Sequence, residues 1–203
     1  HWTRPHREPF IGVSEQPGSW NWANVQSAGG CCLVVGDQLY FYVSGRQGEP
    51  GTDRPGVCST GLAVLRRDGF ASLTDDHRSP QPVRVGTLPA SVTTRPIRFS
   101  GGSLFVNAAI TGALTVEVLD AGGRAIPGFT ASDCIAVGGD GTRLPVRWRK
   151  RAIAELAGET VRFRFRLDRG RLFAFWVSAS ATGASSGYLG AGGPGYRDAI
   201  DRP

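Results

Sequence analysis

The sequence predicts an all-β protein, and three observations carry that prediction. Apolar and polar residues alternate with period two along much of the chain, and no helical periodicity of 3.6 residues is sustained. Glycine (29 residues) and proline (13) are abundant and punctuate these runs. The runs are short and closely spaced, with glycine turns between them, which argues for a β-sandwich of the jelly-roll or concanavalin-like kind. A chain of 203 residues is long enough for one large all-β domain or two small ones.

Element by element, CCLVVGDQLYFYVSGR (Cys31 to Arg46) reads as two strands joined at Gly36-Asp37, a tight-hairpin signal. CSTGLAVLRRDGFASL (Cys58 to Leu73) reads as a strand, a turn at Asp68-Gly69 and a short return. TDDHRSPQP (Thr74 to Pro82) combines charge with two prolines and marks the best boundary in the chain. Beyond it, TTRPIRFSGGSLFVNAA predicts a hairpin about Gly101-Gly102. GALTVEVLDAGGRAIPGF alternates Leu114, Val116 and Val118 against Thr115 and Glu117, then turns at Gly122-Gly123. LPVRWR is a further strand, RAIAELAG (Arg151 to Gly158) a single helical turn or a loop, and ELAGETVRFRFRLDRGRLFAFWVS a last hairpin. The expected organisation is an antiparallel β unit over 1–79, a sandwich over 83–192 and a flexible, glycine-rich tail over 193–203 that frays after Leu189.

Net charge is +6, with 23 basic residues of which Lys150 is the sole lysine. A basic balance invites a nucleic-acid reading, but there is no block of like charges, no helix-turn-helix pattern and no zinc-finger spacing, so no nucleic-acid partner is expected. No apolar run approaches the ~18 residues of a membrane span. The cysteines are Cys31, Cys32, Cys58 and Cys134, without a CxxC, so neither a metal site nor a thioredoxin-like motif is expected. Buried free thiols are favoured over a pairing of Cys31 or Cys32 with Cys58. His1, His6 and His77 are scattered, and nucleophile-elbow, phosphate-loop and dinucleotide motifs are missing. The sequence holds no methionine and opens on HWTRPHREPF, which predicts a piece of a longer protein.

One stretch suggests binding chemistry. GSWNWANVQSAGG (Gly18 to Gly30) sets two indoles and two amides ahead of an apolar strand. If it is extended, Trp20, Trp22, Asn24 and Gln26 share one face. An indole there would stack on a sugar ring while Asn24 and Gln26 exchange hydrogen bonds with its hydroxyls. The competing reading has the indoles filling a core and the amides satisfying backbone groups. Retaining glycosidases need two carboxylates about 5 Å apart, and only Glu15 lies beside this stretch, as a weak catalytic candidate. Asp133, Asp140 and Thr142 fall in SDCIAVGGDGT, a glycine-rich loop that could hold calcium, although a plain loop is the stronger reading. Arg162, Arg164 and Arg166 alternate with Val161, Phe163, Phe165 and Leu167: a basic stripe for an anionic polymer, or more simply the solvated face of a half-buried strand. LFAFWVS (Leu172 to Ser178) is apolar on both faces, as a central covered strand would be.

The ordered set NVQSAGGCCLVVGDQLYFYVSGR, STGLAVLRRDGFASL, TTRPIRFSGGSLFVNA and LFAFWVS resembles the C-terminal part of bacterial glycoside-hydrolase-like proteins related to the family 32 invertase and fructanase group. That group combines a five-bladed β-propeller with a C-terminal β-sandwich. The resemblance implies that residues 1–79 correspond to the end of a propeller, and 83–192 to the sandwich. The family's three catalytic acids sit in an Asn-Asp-Pro-Asn-Gly type motif, an Arg-Asp-Pro motif and a Glu-Cys motif, and none of these is present here. The nearest string, Arg67-Asp68-Gly69, has glycine where proline is required, so no catalytic role passes to Asp68. The implied function is a carbohydrate-associated module lacking its own catalytic carboxylates, from a secreted or periplasmic parent. The alternatives are a small glycosidase using Glu15 and an unidentified partner, or a binding module for anionic polymers. An incomplete propeller would expose sheet edges, which predicts a homo-oligomer formed through them.

Overall fold

The computed structural model describes residues 8–22, 24–47, 57–74 and 90–202. Over these residues the protein is all-β, its sheets are antiparallel, and the helical content is one 3₁₀ turn at Ile153–Leu156, in the stretch read as a single turn. The chain divides into two compact units, one of His1–Leu65 with Leu189–Arg197 and one of Arg66–Tyr188 with Asp198–Pro203. The expected boundary over Thr74 to Pro82 falls almost wholly outside the described residues.

The first unit is a small sheet of β1 (Asn24–Ser27), β2 (Leu33–Val35), β3 (Gln38–Gln47) and β4 (Val57–Arg66). The hairpin expected at Gly36-Asp37 is there, with Val35 opposite Gln38 and Gly36 at φ 57°. Glycine at the first central position, followed by a residue of negative φ, is the type II′ pattern, which suits the twist of the flanking strands. Strand β1 pairs with the far end of β3, and the Ala28 amide donates to the Tyr42 carbonyl at 2.8 Å. That carbonyl points the same way as those of Tyr40 and Gln38, so β1 and β2 lie end to end along one edge of β3. Strand β4 pairs with β3. The inner face buries Val34, Leu39 and Val43, with Leu189 and Tyr196 from the C-terminal segment packed on the same small core. That segment is hydrogen-bonded in place: Val34 donates to the Gly192 carbonyl at 2.8 Å and Ala191 to that of Cys32 at 3.2 Å. A Cβ on Gly193 would lie 1.8 Å from the Val34 carbonyl oxygen.

The second unit holds β5 (Leu73–Thr74), β6 (Ala90–Thr93), β7 (Ile97–Arg98), β8 (Ser103–Asp120), β9 (Cys134–Ile135), β10 (Val137–Trp148) and β11 (Thr160–Ser178). Its spine is the pairing of β8 with β11, which runs from Val161 opposite Asp120 to Ser178 opposite Ser103. Short strands β5, β6 and β7 line the other edge of β11, and β10 lines β8. Two expected hairpins are therefore corrected. The strand ending at Arg98 pairs with β11, not with β8 across Gly101-Gly102. A Cβ on Gly101 would lie 2.6 Å from the Ser178 backbone, so Gly101 marks a close crossing. Likewise Asp168-Arg169-Gly170 is no hairpin turn but part of one continuous strand, opposite a bulge in β8 where Thr111 and Gly112 together face Arg169. The short return after Asp68-Gly69 also finds β11 as its partner instead of β4.

That bulge makes the corner of the fold. Arg169 has φ 53°, its carbonyl accepts from the Thr111 hydroxyl at 3.0 Å, and a Cβ on Gly112 would stand 2.3 Å from the Asp168 carbonyl oxygen. A straight strand rises about 3.3 Å per residue, so Phe165 and Phe175 would be about 33 Å apart. Their ring centroids are 4.8 Å apart. Strand β11 therefore turns the corner, and its two halves face each other across the core in the manner of strands that pass between the layers of a sandwich. A one-residue register shift at the corner is undone by a second between Leu172 and Ala174. Core positions thus stay matched on both sides, Phe165 opposite Val116 and Phe175 opposite Val106. Phe163, Phe165, Val116, Val118 and Phe129 are all but inaccessible to solvent. The architecture is sandwich-like and all-β.

Candidate functional site

Pairing of β1 with β3 divides the predicted binding quartet. Val25 faces Gly45, so Asn24 (opposite Arg46) and Gln26 (opposite Ser44) project from the other face. Trp20 lies on the Gly45 side: a Cβ on Gly45 would be 2.2 Å from its Cε3, and one on Gly61 of β4 would be 3.3 Å from its Cη2. The indole is seated on the bare backbone of two glycines, beside the inner core. Trp20 and Trp22 belong to a turn, not a strand, closed by the Trp22 amide donating to the Ser19 carbonyl at 3.1 Å. The expectation of one shared face fails because alternation begins only at Asn24. Trp20 is nonetheless 41% exposed.

What the register brings together is different. Tyr42, 45% exposed, shares its face of β3 with Ser44 and therefore with Gln26 and Asn24. Directly opposed Cβ atoms in such a sheet sit about 4.5–5.5 Å apart, and diagonal neighbours remain within reach of long side chains. Gly61 shares the inner face with Val43, so Leu62 and Val64 of β4 project on the Tyr42 side, each about half exposed. The outer face thus runs from two amides, through an aromatic ring, to two aliphatic side chains. Tyr42 lay in a strand read only as half of a hairpin; the run Tyr40-Phe41-Tyr42, which puts aromatics on both faces of a strand, was its available signal.

Glu15 is exposed in a loop tied by Ser14, whose hydroxyl accepts from the Gln16 amide at 3.1 Å. The other described carboxylates of the first unit are Glu8 and Asp37, both exposed, and no buried acid accompanies Glu15. All three histidines fall outside the described residues.

In the second unit, a polar cluster lines the outer side of β8 that sequence reasoning missed. Asn107, fully buried, accepts from Arg66 Nε at 2.6 Å and donates to the Arg67 carbonyl at 2.6 Å. Arg66 also pairs with Asp140 and lies 4.8 Å over the Phe173 ring. Arg67 reaches the buried carboxylate of Asp201 at 3.1 Å, which also accepts from the Ser185 amide and hydroxyl. A cavity of about 30 Å³ remains among Arg67, Thr142, Arg143, Trp176, Ser185 and Asp201, room for a water and little more. Among the described residues no buried polar side-chain atom lacks a partner. This network fastens Arg66, Arg67 and Asp201 to the second unit's sheet, and it holds neither an imidazole nor an open substrate space.

The plain loop expected at SDCIAVGGDGT is in part a strand. Val137–Thr142 belongs to β10, with Asp140 opposite Ala109. Asp133 is held below the usual carboxylate range, first by the Thr130 hydroxyl at 2.6 Å and then by the Thr130 amide. Among the described residues no group of three His, Cys, Asp or Glu is placed to hold a metal ion. The arginine stripe is committed internally: Arg164 and Arg166 donate to the buried Glu117 carboxylate at 3.0 and 2.8 Å, and Arg162 reaches the Ala121 and Thr94 carbonyls. Trp176 stacks on Phe105 and donates to the Gly183 carbonyl at 3.0 Å, so Leu172 to Ser178 is covered by the chain itself. Cys31 and Cys58 are exposed free thiols, against the expectation of burial, and Cys134 is buried as expected. No described helix is long and apolar enough to cross a membrane.

No family model, curated protein or solved structure matches the chain.

Proposed function

We propose that the protein is a carbohydrate-associated, non-catalytic module of the glycoside-hydrolase-like kind suggested by its strand strings, with a propeller-blade-like first sheet and a jelly-roll-like sandwich after it. The observation that carries this reading is the outer face of the first sheet, where the half-exposed Tyr42 ring shares a face with Asn24, Gln26 and Ser44. A flat aromatic flanked by amides matches a sugar ring, which presents an apolar C–H face and a rim of hydroxyls that both give and accept hydrogen bonds. Glu15 is exposed, and no buried acid accompanies it among the described residues, which supports binding over hydrolysis, because retention and inversion alike require a second carboxylate.

The test is affinity electrophoresis through inulin, levan, laminarin and xylan, with hydrolysis of the same polymers and of aryl glycosides followed in parallel. Retardation by at least one polymer, weakened about tenfold by Tyr42→Ala (~1.4 kcal/mol) with an unchanged circular dichroism spectrum, supports the reading. Turnover abolished by Glu15→Gln would establish the glycosidase alternative. Neither retardation nor turnover would overturn both.

A further inference from the structure

Among the described residues, strand β4 is an unguarded edge. It is ten residues long and pairs with β3 on one side, while among the described residues no strand pairs with the other. From Val57 to Leu65 it carries no charge and no proline. Soluble β proteins protect such edges with charges, prolines, bulges or short strands, because unpaired N–H and C=O groups recruit a further strand. Every other described edge has one of these protections. Strand β10 carries Asp140, Arg143 and Pro145 and two register shifts. Strands β1, β5, β6, β7 and β9 are two to four residues long. The outer edge of β2 is taken by the Val34 to Gly192 bond.

We propose that β4 is the interface of a two-fold homodimer, pairing antiparallel with β4 of a second copy. A second copy is the occupant because it presents the same open edge, and antiparallel pairing about a two-fold axis matches donors to acceptors along an isologous contact. The Val57–Leu65 strip itself carries no charge, so the net +6 of each copy meets no like charge along it. Side chains support it too: Val57, Leu62 and Val64 are 61%, 47% and 49% exposed, and pairing extends the sheet so that copies of Leu62 and Val64 adjoin on a common face. The proposal does not depend on carbohydrate binding.

Light scattering on the 203-residue chain, from about 5 to 200 µM, is the test. The expected mass is twice 21.6 kDa at the upper concentrations. Leu62→Lys and, separately, Val64→Glu place a charge on the exposed side of the edge, and each is expected to give the monomer mass with an unchanged circular dichroism spectrum. A wild-type monomer throughout would overturn the proposal. So would a dimer that both variants, folded as the wild type is, leave intact, since the contact would then lie elsewhere.

Discussion

Gly112→Ala probes the corner where β8 and β11 bend, and its cost can be worked from the geometry. The added Cβ would stand 2.3 Å from the Asp168 carbonyl oxygen and 3.0 Å from its carbonyl carbon. Ordinary contact begins near 3.4 Å, so backbone on one strand must retreat by about an ångström, and overpacking of this kind costs ~1–3 kcal/mol or more. Asp168 cannot retreat freely, because Thr111 holds Arg169 and the Thr74 hydroxyl holds the Gly170 carbonyl at 3.2 Å. At about 2–4 °C per kcal/mol for a chain of this size, the expected loss in Tm is roughly 2–12 °C. Gly102→Ala is the matched control: its Cβ meets only the Ala154 methyl at 3.5 Å, and the site is exposed. The assay is urea unfolding followed by tryptophan fluorescence, with Tm from calorimetry. If Gly112→Ala proves as stable as Gly102→Ala, within about 0.5 kcal/mol, the close crossing at the corner is refuted.

Three further outcomes are expected. Glu117→Leu should cost less than Glu117→Ala, since the leucine refills a site that is 5% exposed while Arg164 and Arg166, 32% and 41% exposed, turn to solvent; paired urea titrations would show it. Native-state thiol labelling read by mass spectrometry should modify Cys31 and Cys58 readily and spare Cys134, whose thiol burial pushes above the ordinary range; labelling of Cys134 at the rate of the others would contradict its place in the core. The Asp133 carboxylate, depressed by Thr130, stabilises the fold above its unfolded-state range and loses that contribution as pH falls through its lowered folded value. Thr130→Val should therefore flatten the acid limb of stability against pH and leave the neutral plateau lower.

Local alternation was enough to place the inward residues of VRFRFRL, because a strand interior carries its own register. It failed wherever turn chemistry serves another purpose. Asp168-Arg169-Gly170 has the residues of a hairpin loop, and Arg169, opposite the bulge in β8, uses the same positive φ. What separates the two is β8 continuing alongside, a partner some fifty residues away in sequence. Gly101-Gly102 misled for the same reason: glycine was needed for a crossing at Ser178, not for a turn. At the candidate site, the error lay in where extended structure begins. Counted from Trp20, four side chains share a face; counted from Asn24, where β1 starts, the amides join Tyr42 and leave Trp20 on the glycines. Asn107 did leave a trace, as a lone amide within LFVNAAI, but its partners Arg66 and Arg67 lie some forty residues upstream. The link from Arg67 to Asp201 spans most of the chain and had no local sign.

A nitrogen-15 titration of the labelled chain with an oligosaccharide of whichever polymer retards it locates the contact directly. The account predicts shifts concentrated at Asn24, Gln26, Tyr42, Ser44, Leu62 and Val64, with the second unit undisturbed. Shifts centred instead on Glu15 and Trp20, or no shifts at millimolar sugar, would contradict a binding face built on the outer side of β3.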